Sequence, residues 1–159
     1  MTTNVAVGDK APDFELPGTT GKKIKLSDQF SNGPLVLLFY PLDWSPVCTK
    51  ELCTLQDGFT EFEELGANVF AISIDSIFSH QAWAEKLGIT FPLLSDFNRE
   101  VIRSYGVIHE EILGLKGIAK RSVFILDRKG TVRYRWVSED PSQLPNMEEV
   151  KEQIKKATH

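Results

Sequence analysis

The chain is poor in the residues from which most catalytic and binding signatures are assembled. It has two cysteines and three histidines in 159 residues, no glycine-rich phosphate loop, and no Gly-x-Ser-x-Gly. His80, His109 and His159 are scattered, so they read as surface residues. Two cysteines with no histidine close by do not complete a zinc site, and neither metal nor cofactor is expected. Neither sign of charge is in large excess, with 18 basic against 22 acidic side chains and a pI near 5.4. Nothing in that balance favours a nucleic acid partner. No segment approaches the ~20 apolar residues that cross a bilayer. Met1-Thr2-Thr3-Asn4 lacks the basic and apolar regions of a secretory leader, and the expectation is a cytoplasmic protein without membrane attachment.

What is present suffices for one core. At 42% hydrophobic content, residues 1–159 are expected to form a single domain. Ala11–Leu16 and Lys23–Leu26 alternate apolar and polar residues around Pro17-Gly18-Thr19-Thr20-Gly21, predicting an N-terminal β-hairpin. Leu35–Tyr40 and Asn68–Asp75 read as buried strands, with a helix over 48–65 between them that ends at Gly66. A helix over 77–87 ends at Gly88, a short extended piece covers 91–96, and a short helix covers 98–105. Residues 106–120 have no clear period and read as a loop with an extended piece. Arg121–Asp127 and Thr131–Val137 flank Arg128-Lys129-Gly130, a strong hairpin signal. Asn146 and Glu149 then open a final helix with Met147, Val150 and Ile154 on its apolar face. The two strands joined by helix 48–65 should be parallel with a right-handed crossover, and the later hairpin makes the sheet mixed. That order is an α/β fold of the thioredoxin-like plan, a central mixed β-sheet with helices on both faces.

Both cysteines lie in one stretch, Pro41-Leu42-Asp43-Trp44-Ser45-Pro46-Val47-Cys48-Thr49-Lys50-Glu51-Leu52-Cys53, where the first buried strand turns into its helix. Ser45 before Pro46 reads as an N-cap followed by proline at the first helical position. Cys48 then falls in the first turn, where unpaired N–H groups and the helix dipole favour an anion, here a thiolate. The apolar stripe is Leu52, Leu55, Phe59, Phe62 and Leu65. At about 100° per residue, Cys48 sits in its middle and Cys53 roughly 150° away. Cys48 is expected to face inward and Cys53 to face water.

A nucleophilic thiolate needs a further cation to stabilise it and orient its target. Arg121 and Lys50 are the candidates, and the fixed fork and permanent charge of arginine make it the better one. Ser45 can add a hydroxyl, and Pro41 can keep water from the sulfur. Trp44 suits a hydrophobic collar or docking surface, Trp83 a core or pocket wall, and Glu51 by default a solvated carboxylate complementing the helix dipole. Cysteines five apart in an α-helix have Cα atoms about 8.5 Å apart, and a disulfide rarely bridges more than ~7 Å. Joining Cys48 to Cys53 therefore requires the start of the helix to unwind. Gly58 weakens the same helix.

The stretch resembles the peroxiredoxin active-site motif of proline, three residues, threonine or serine, two residues, cysteine. Arg121-Ser122-Val123-Phe124-Ile125-Leu126-Asp127 is similar to the arginine-bearing strand of that family. Ala11-Pro12-Asp13-Phe14, Ile72-Ser73-Ile74-Asp75, Phe91–Asp96 and Tyr105-Gly106-Val107 extend the likeness over nearly the whole chain. Cys48-Thr49-Lys50-Glu51-Leu52-Cys53 resembles the PrxQ, or bacterioferritin comigratory protein, branch, while Trp44-Ser45-Pro46 is also similar to the single-cysteine AhpE-like branch. The resemblance implies a thiol-dependent peroxidase acting on hydrogen peroxide and small organic hydroperoxides. It implies that Cys48 is peroxidatic and Cys53 resolving, with an intramolecular disulfide recycled by a thioredoxin-like or glutaredoxin-like reductant. By the same resemblance Pro41, Ser45 and Arg121 hold the peroxide, Glu51 orients the arginine, and the chain is a monomer or small homodimer. The alternatives are a single-cysteine peroxidase resolved by an external thiol, and a thiol redox sensor or interaction module.

Overall fold

The structure, a computed structural model, describes residues 5–158. Its centre is a five-stranded mixed sheet of spatial order β5 (Leu93–Ser95), β4 (Asn68–Ser73), β3 (Leu35–Phe39), β8 (Ser122–Leu126) and β9 (Val132–Val137). The middle strand β3 is buried at every position because both its faces are covered, which is why it reads as an unbroken apolar run. It pairs in parallel with β4, which pairs in parallel with β5. On its other side β3 runs antiparallel to β8, itself antiparallel to β9. The expected N-terminal hairpin is β1 (Glu15–Pro17) with β2 (Lys23–Lys25), followed by a 3-10 stretch over Leu26–Asn32.

Alternation along β3 divides the core into two layers. Leu35, Leu37 and Phe39 meet Phe70, Ile72, Phe124 and the apolar side of α4 (Glu100–Ser104). Val36 and Leu38 face the opposite way, onto α1 (Pro46–Asp57), α2 (Phe59–Glu64), α3 (Ile77–Leu87) and α5 (Met147–Ala157). Cys48 belongs to this second layer with Leu52, Leu55, Phe62, Trp83, Val150 and Ile154. The side chain of Asn146 accepts the backbone N–H of Glu149 at 3.1 Å, capping α5 as its sequence requires.

The structure corrects several expectations. The helix expected over 48–65 is two helices, because Gly58 ends α1 and α2 restarts at Phe59; glycine in a helix interior forgoes about 1 kcal/mol relative to alanine. Residues 106–120 contain a hairpin, β6 (Ile108–His109) with β7 (Ile118–Ala119), whose two-residue strands are too short to show a period. At its tip Ile112 and Leu115 exchange backbone hydrogen bonds of 2.8 Å across Leu113 and Gly114, both in the left-handed region. His80 and His109 are buried, the first on the inner side of α3 and the second in β6, while His159 lies outside the described residues. Cys53, expected to face water, is half-buried.

Candidate active site

Strand β3 delivers the chain to Tyr40 and Pro41, and the turn Leu42–Ser45 carries it into α1. Trp44 adopts φ +70°, a conformation rare outside glycine, which turns the chain sharply before the helix. Ser45 occupies the N-cap position, but its hydroxyl donates to the Leu42 carbonyl at 2.9 Å and caps nothing. Its own carbonyl instead accepts both the N–H (2.9 Å) and the hydroxyl (2.8 Å) of Thr49. Pro46 follows at the start of the helix, and Cys48 is fully buried in the first turn.

Arg121 sits at the edge of β8, almost entirely buried, and its guanidinium is divided among three acceptors. Nη2 donates to Cys48 Sγ at 3.3 Å, Nη1 to Glu51 Oε1 at 2.5 Å, and both Nε (3.2 Å) and Nη2 (2.8 Å) to the Pro141 carbonyl. A permanently charged donor is thereby aimed at the sulfur, the arrangement that holds a thiolate. The other candidate cation, Lys50, is exposed.

Glu51 is not the solvated carboxylate of the default reading. It is 1% exposed, one turn beyond Cys48 on the inward side of α1, and its Oε2 has no hydrogen-bond partner among the described residues. Burial pushes its carboxyl up to about 7, against the opposing pull of the Arg121 charge and hydrogen bond. The Cys48 sulfur and the Glu51 carboxyl thus share one cation.

Above Arg121 opens a cavity of about 230 Å³, walled by Pro41, Ser45, Val47 and Pro141 on one side and by Leu113, Leu115 and Ile118 of the β6–β7 hairpin on the other. The structure therefore brings Cys48, Arg121, Glu51, Pro41 and Ser45 together, with Cys53 in the same helix. Trp44 and Trp83 are elsewhere. Trp83 is core, its ring 5.6 Å from that of Tyr40, and Trp44 is about half exposed, with Nε1 donating to Ser79 Oγ at 3.2 Å. Sequence reasoning missed the Pro141 carbonyl, a backbone group in the connection between β9 and α5. It also missed Leu113 and Leu115, whose signal was apolar residues in a stretch with neither helical nor strand period.

A family model described as the AhpC/TSA family matches residues 7–135. The chain belongs to that family. Curated AhpC/TSA relatives bear peroxiredoxin names. The chain is 38% identical to the chloroplastic 2-Cys peroxiredoxin BAS1 of Spinacia oleracea, over 83% of this chain and 52% of the relative. It is 39% identical to the chloroplastic peroxiredoxin Q of Triticum aestivum, over 82% of this chain and 58% of the relative. The chain thus spans little more than half the length of these relatives. Among solved structures, peroxidoxin BcpB of Mycobacterium tuberculosis superposes with a TM-score of 0.84 at 34% identity, over 96% of this chain and 98% of that one. The thioredoxin-like fold expected from the element order is the fold of these AhpC/TSA proteins. Among the described residues no helix is long and apolar enough to cross a membrane.

Proposed function

We propose that the chain, as one thioredoxin-like domain, is a thiol-dependent peroxidase that reduces hydrogen peroxide and small organic hydroperoxides in a reducing compartment such as the cytoplasm. The observation that carries this reading is the fork of Arg121, with one nitrogen on the Cys48 sulfur and another on Glu51, beneath an open cavity. The Cys48 thiolate attacks the distal oxygen of ROOH, the O–O bond breaks, and the leaving alkoxide takes a proton to give ROH and a Cys48 sulfenic acid. Arg121 donates to the peroxide oxygens and to the charge of the departing oxygen, and the Ser45 hydroxyl, whose own hydrogen goes to the Leu42 carbonyl, accepts from the peroxide O–H. Pro41 and the hairpin leucines keep water away.

In the second step the Cys53 thiolate attacks the sulfenic sulfur, forming the Cys48–Cys53 disulfide and expelling hydroxide, which takes a proton from solvent and leaves as water. Both cysteines are free and lie in the continuous helix α1. At their helical separation of about 8.5 Å, the second step requires α1 to unwind first. A dithiol reductant of thioredoxin or glutaredoxin type then reopens the disulfide by exchange.

Stopped-flow mixing of the reduced protein with hydrogen peroxide, followed by mass spectrometry, tests both steps. Oxidation of Cys48 far faster than of a free thiol, then loss of two hydrogens and a 48–53 crosslink, is the expected result. Oxidation no faster than a free thiol would sink the peroxidase reading. A persistent sulfenic acid, or a disulfide to an external thiol, would assign single-cysteine chemistry instead.

A further inference from the structure

Behind the active-site turn lies a second buried polar cluster that the chemistry above does not use. Asp43, two residues after Pro41 and two before Ser45, does not line the cavity, and its carboxylate has three side-chain partners. Tyr40 donates to Oδ1 at 2.6 Å, Ser79 donates to Oδ2 at 2.9 Å, and Nδ1 of the wholly buried His80 lies 2.7 Å from the same oxygen. The backbone N–H of Asp43 donates to Asp75 Oδ2 at 2.8 Å, which also takes the Ser73 hydroxyl at 2.6 Å. The next residue, Trp44, donates to Ser79, so the strained turn is tied at two successive positions to the start of α3.

The two ring nitrogens of His80 locate a proton. Nε2 is 2.9 Å from the Leu94 carbonyl, which can only accept, so Nε2 carries hydrogen. Nδ1 faces a carboxylate oxygen, which also accepts. Both contacts are satisfied together only when a further proton lies between the ring and Asp43. With two hydroxyl donors also on the carboxylate, that proton makes the contact a charge-assisted hydrogen bond shielded from solvent.

Resting on the peroxidase reading, we propose that His80 is a positioning residue for the peroxidatic turn: its charge-assisted hydrogen bond to Asp43 fixes residues 41–45, and with them Pro41 and Ser45, against the end of β4 and the start of α3. The clamp lies wholly outside α1. It therefore holds the turn for attack on the peroxide and takes no part in the unwinding between Pro46 and Gly58 that joins Cys48 to Cys53. Loosening it lowers the rate of the first step and leaves the second undiminished.

His80→Gln, which cannot take up that proton, tests this in the full-length protein, with oxidation and disulfide formation resolved by stopped-flow fluorescence. Misplacement of reacting groups by about 1 Å costs on the order of 10²-fold, and the expected result is oxidation slower by roughly 10- to 100-fold with disulfide formation no slower. Ser79→Ala removes one donor from the same carboxylate without removing His80, and carries the same expectation at smaller size if His80→Gln does not fold. Nitrogen-15 NMR of the unmodified protein should find a proton at both His80 ring nitrogens. Oxidation at the unmodified rate in the folded variants, both steps slowing by the same factor, or an unprotonated Nδ1 each overturns the proposal. If the unmodified protein itself reacts no faster than a free thiol, the peroxidase reading has failed; if it reacts fast and the variants match it, only the positioning role has.

Discussion

Arg121 Nη2 lies 3.3 Å from Cys48 Sγ across a sequence separation of 73 residues. The contact joins the edge of β8 to the first turn of α1, and it exists because β3 and β8 are neighbours in the sheet, with Phe39 opposite Ser122. The residue that follows Arg121 is thus paired with the last residue of the strand that launches the active-site turn.

Replacing Arg121 by lysine or glutamine should therefore cost more than charge alone. Neither side chain can reach Cys48, Glu51 and Pro141 at once. The second-order rate constant for peroxide should fall by roughly 10²–10³-fold, the usual effect of removing one donor at a developing charge. Stopped-flow kinetics at fixed pH measures it, and a loss of less than about threefold would show that the arginine is structural.

Glu51→Gln bears on the pH dependence of stability. The carboxyl of Glu51 titrates at about 7 in the folded chain against 4.5 ordinarily, so between those values the folded state holds a proton that the unfolded state has lost. Its contribution is then fully present below about 4.5 and is lost as pH rises to about 7. Urea midpoints of the unmodified protein, after subtraction of those of the glutamine variant, should fall across this window. A flat or rising difference would contradict the buried, half-satisfied carboxylate.

Gly58→Ala should separate the two chemical steps. Gly58 has φ −101° and ψ 15°, within reach of any L-residue, and an added methyl would meet only the Thr54 carbonyl, at 3.9 Å. Alanine there gains about 0.4–1 kcal/mol for the folded helix, so disulfide formation should slow by roughly two- to fivefold with peroxide attack unchanged. Over-oxidation of Cys48 to sulfinic acid should rise accordingly, which intact mass measures.

Leu115→Asp places a charge on the apolar wall of the cavity. The hairpin supplies Leu113, Leu115 and Ile118 to this wall, and an aromatic hydroperoxide should use it while hydrogen peroxide does not. Turnover with cumene hydroperoxide should drop by about tenfold or more, the scale on which apolar pockets discriminate. Turnover with hydrogen peroxide should change by less than about twofold. Equal losses on both substrates would place the leucine outside the substrate path.

The sheet was legible wherever a strand was long enough to carry a pattern. β3, β4 and the β8–β9 hairpin stand where apolar runs and turn residues put them, and the mixed topology followed from their order. β6 and β7 were not legible, because two residues cannot show a period. At the site, the inward placement of Cys48 came from helical spacing alone, and the candidacy of Arg121 from its place at the head of a core strand. The default reading of Glu51 as solvated misjudged it because its type suggested solvent, although position 51 is three residues from Cys48 and four from Leu55 on the same inward stripe. His80 was misjudged for a related reason: with Trp83, Ala84 and Leu87 it forms an i, i+3, i+4, i+7 set, a core stripe that its polarity disguised.

The break at Gly58 bears on how a reductant finds its target. Leu52 and Leu55 are buried with Cys48 on the inner side of α1, whereas Phe62 is held in the same layer by α2, on the far side of the break. A transition that unwinds α1 alone expels two leucines and leaves α2 seated. If the proposed second step runs this way, the disulfide form would show an oily patch that the thiol form conceals, and a dithiol reductant would tell spent molecules from fresh ones by surface texture before any sulfur is touched.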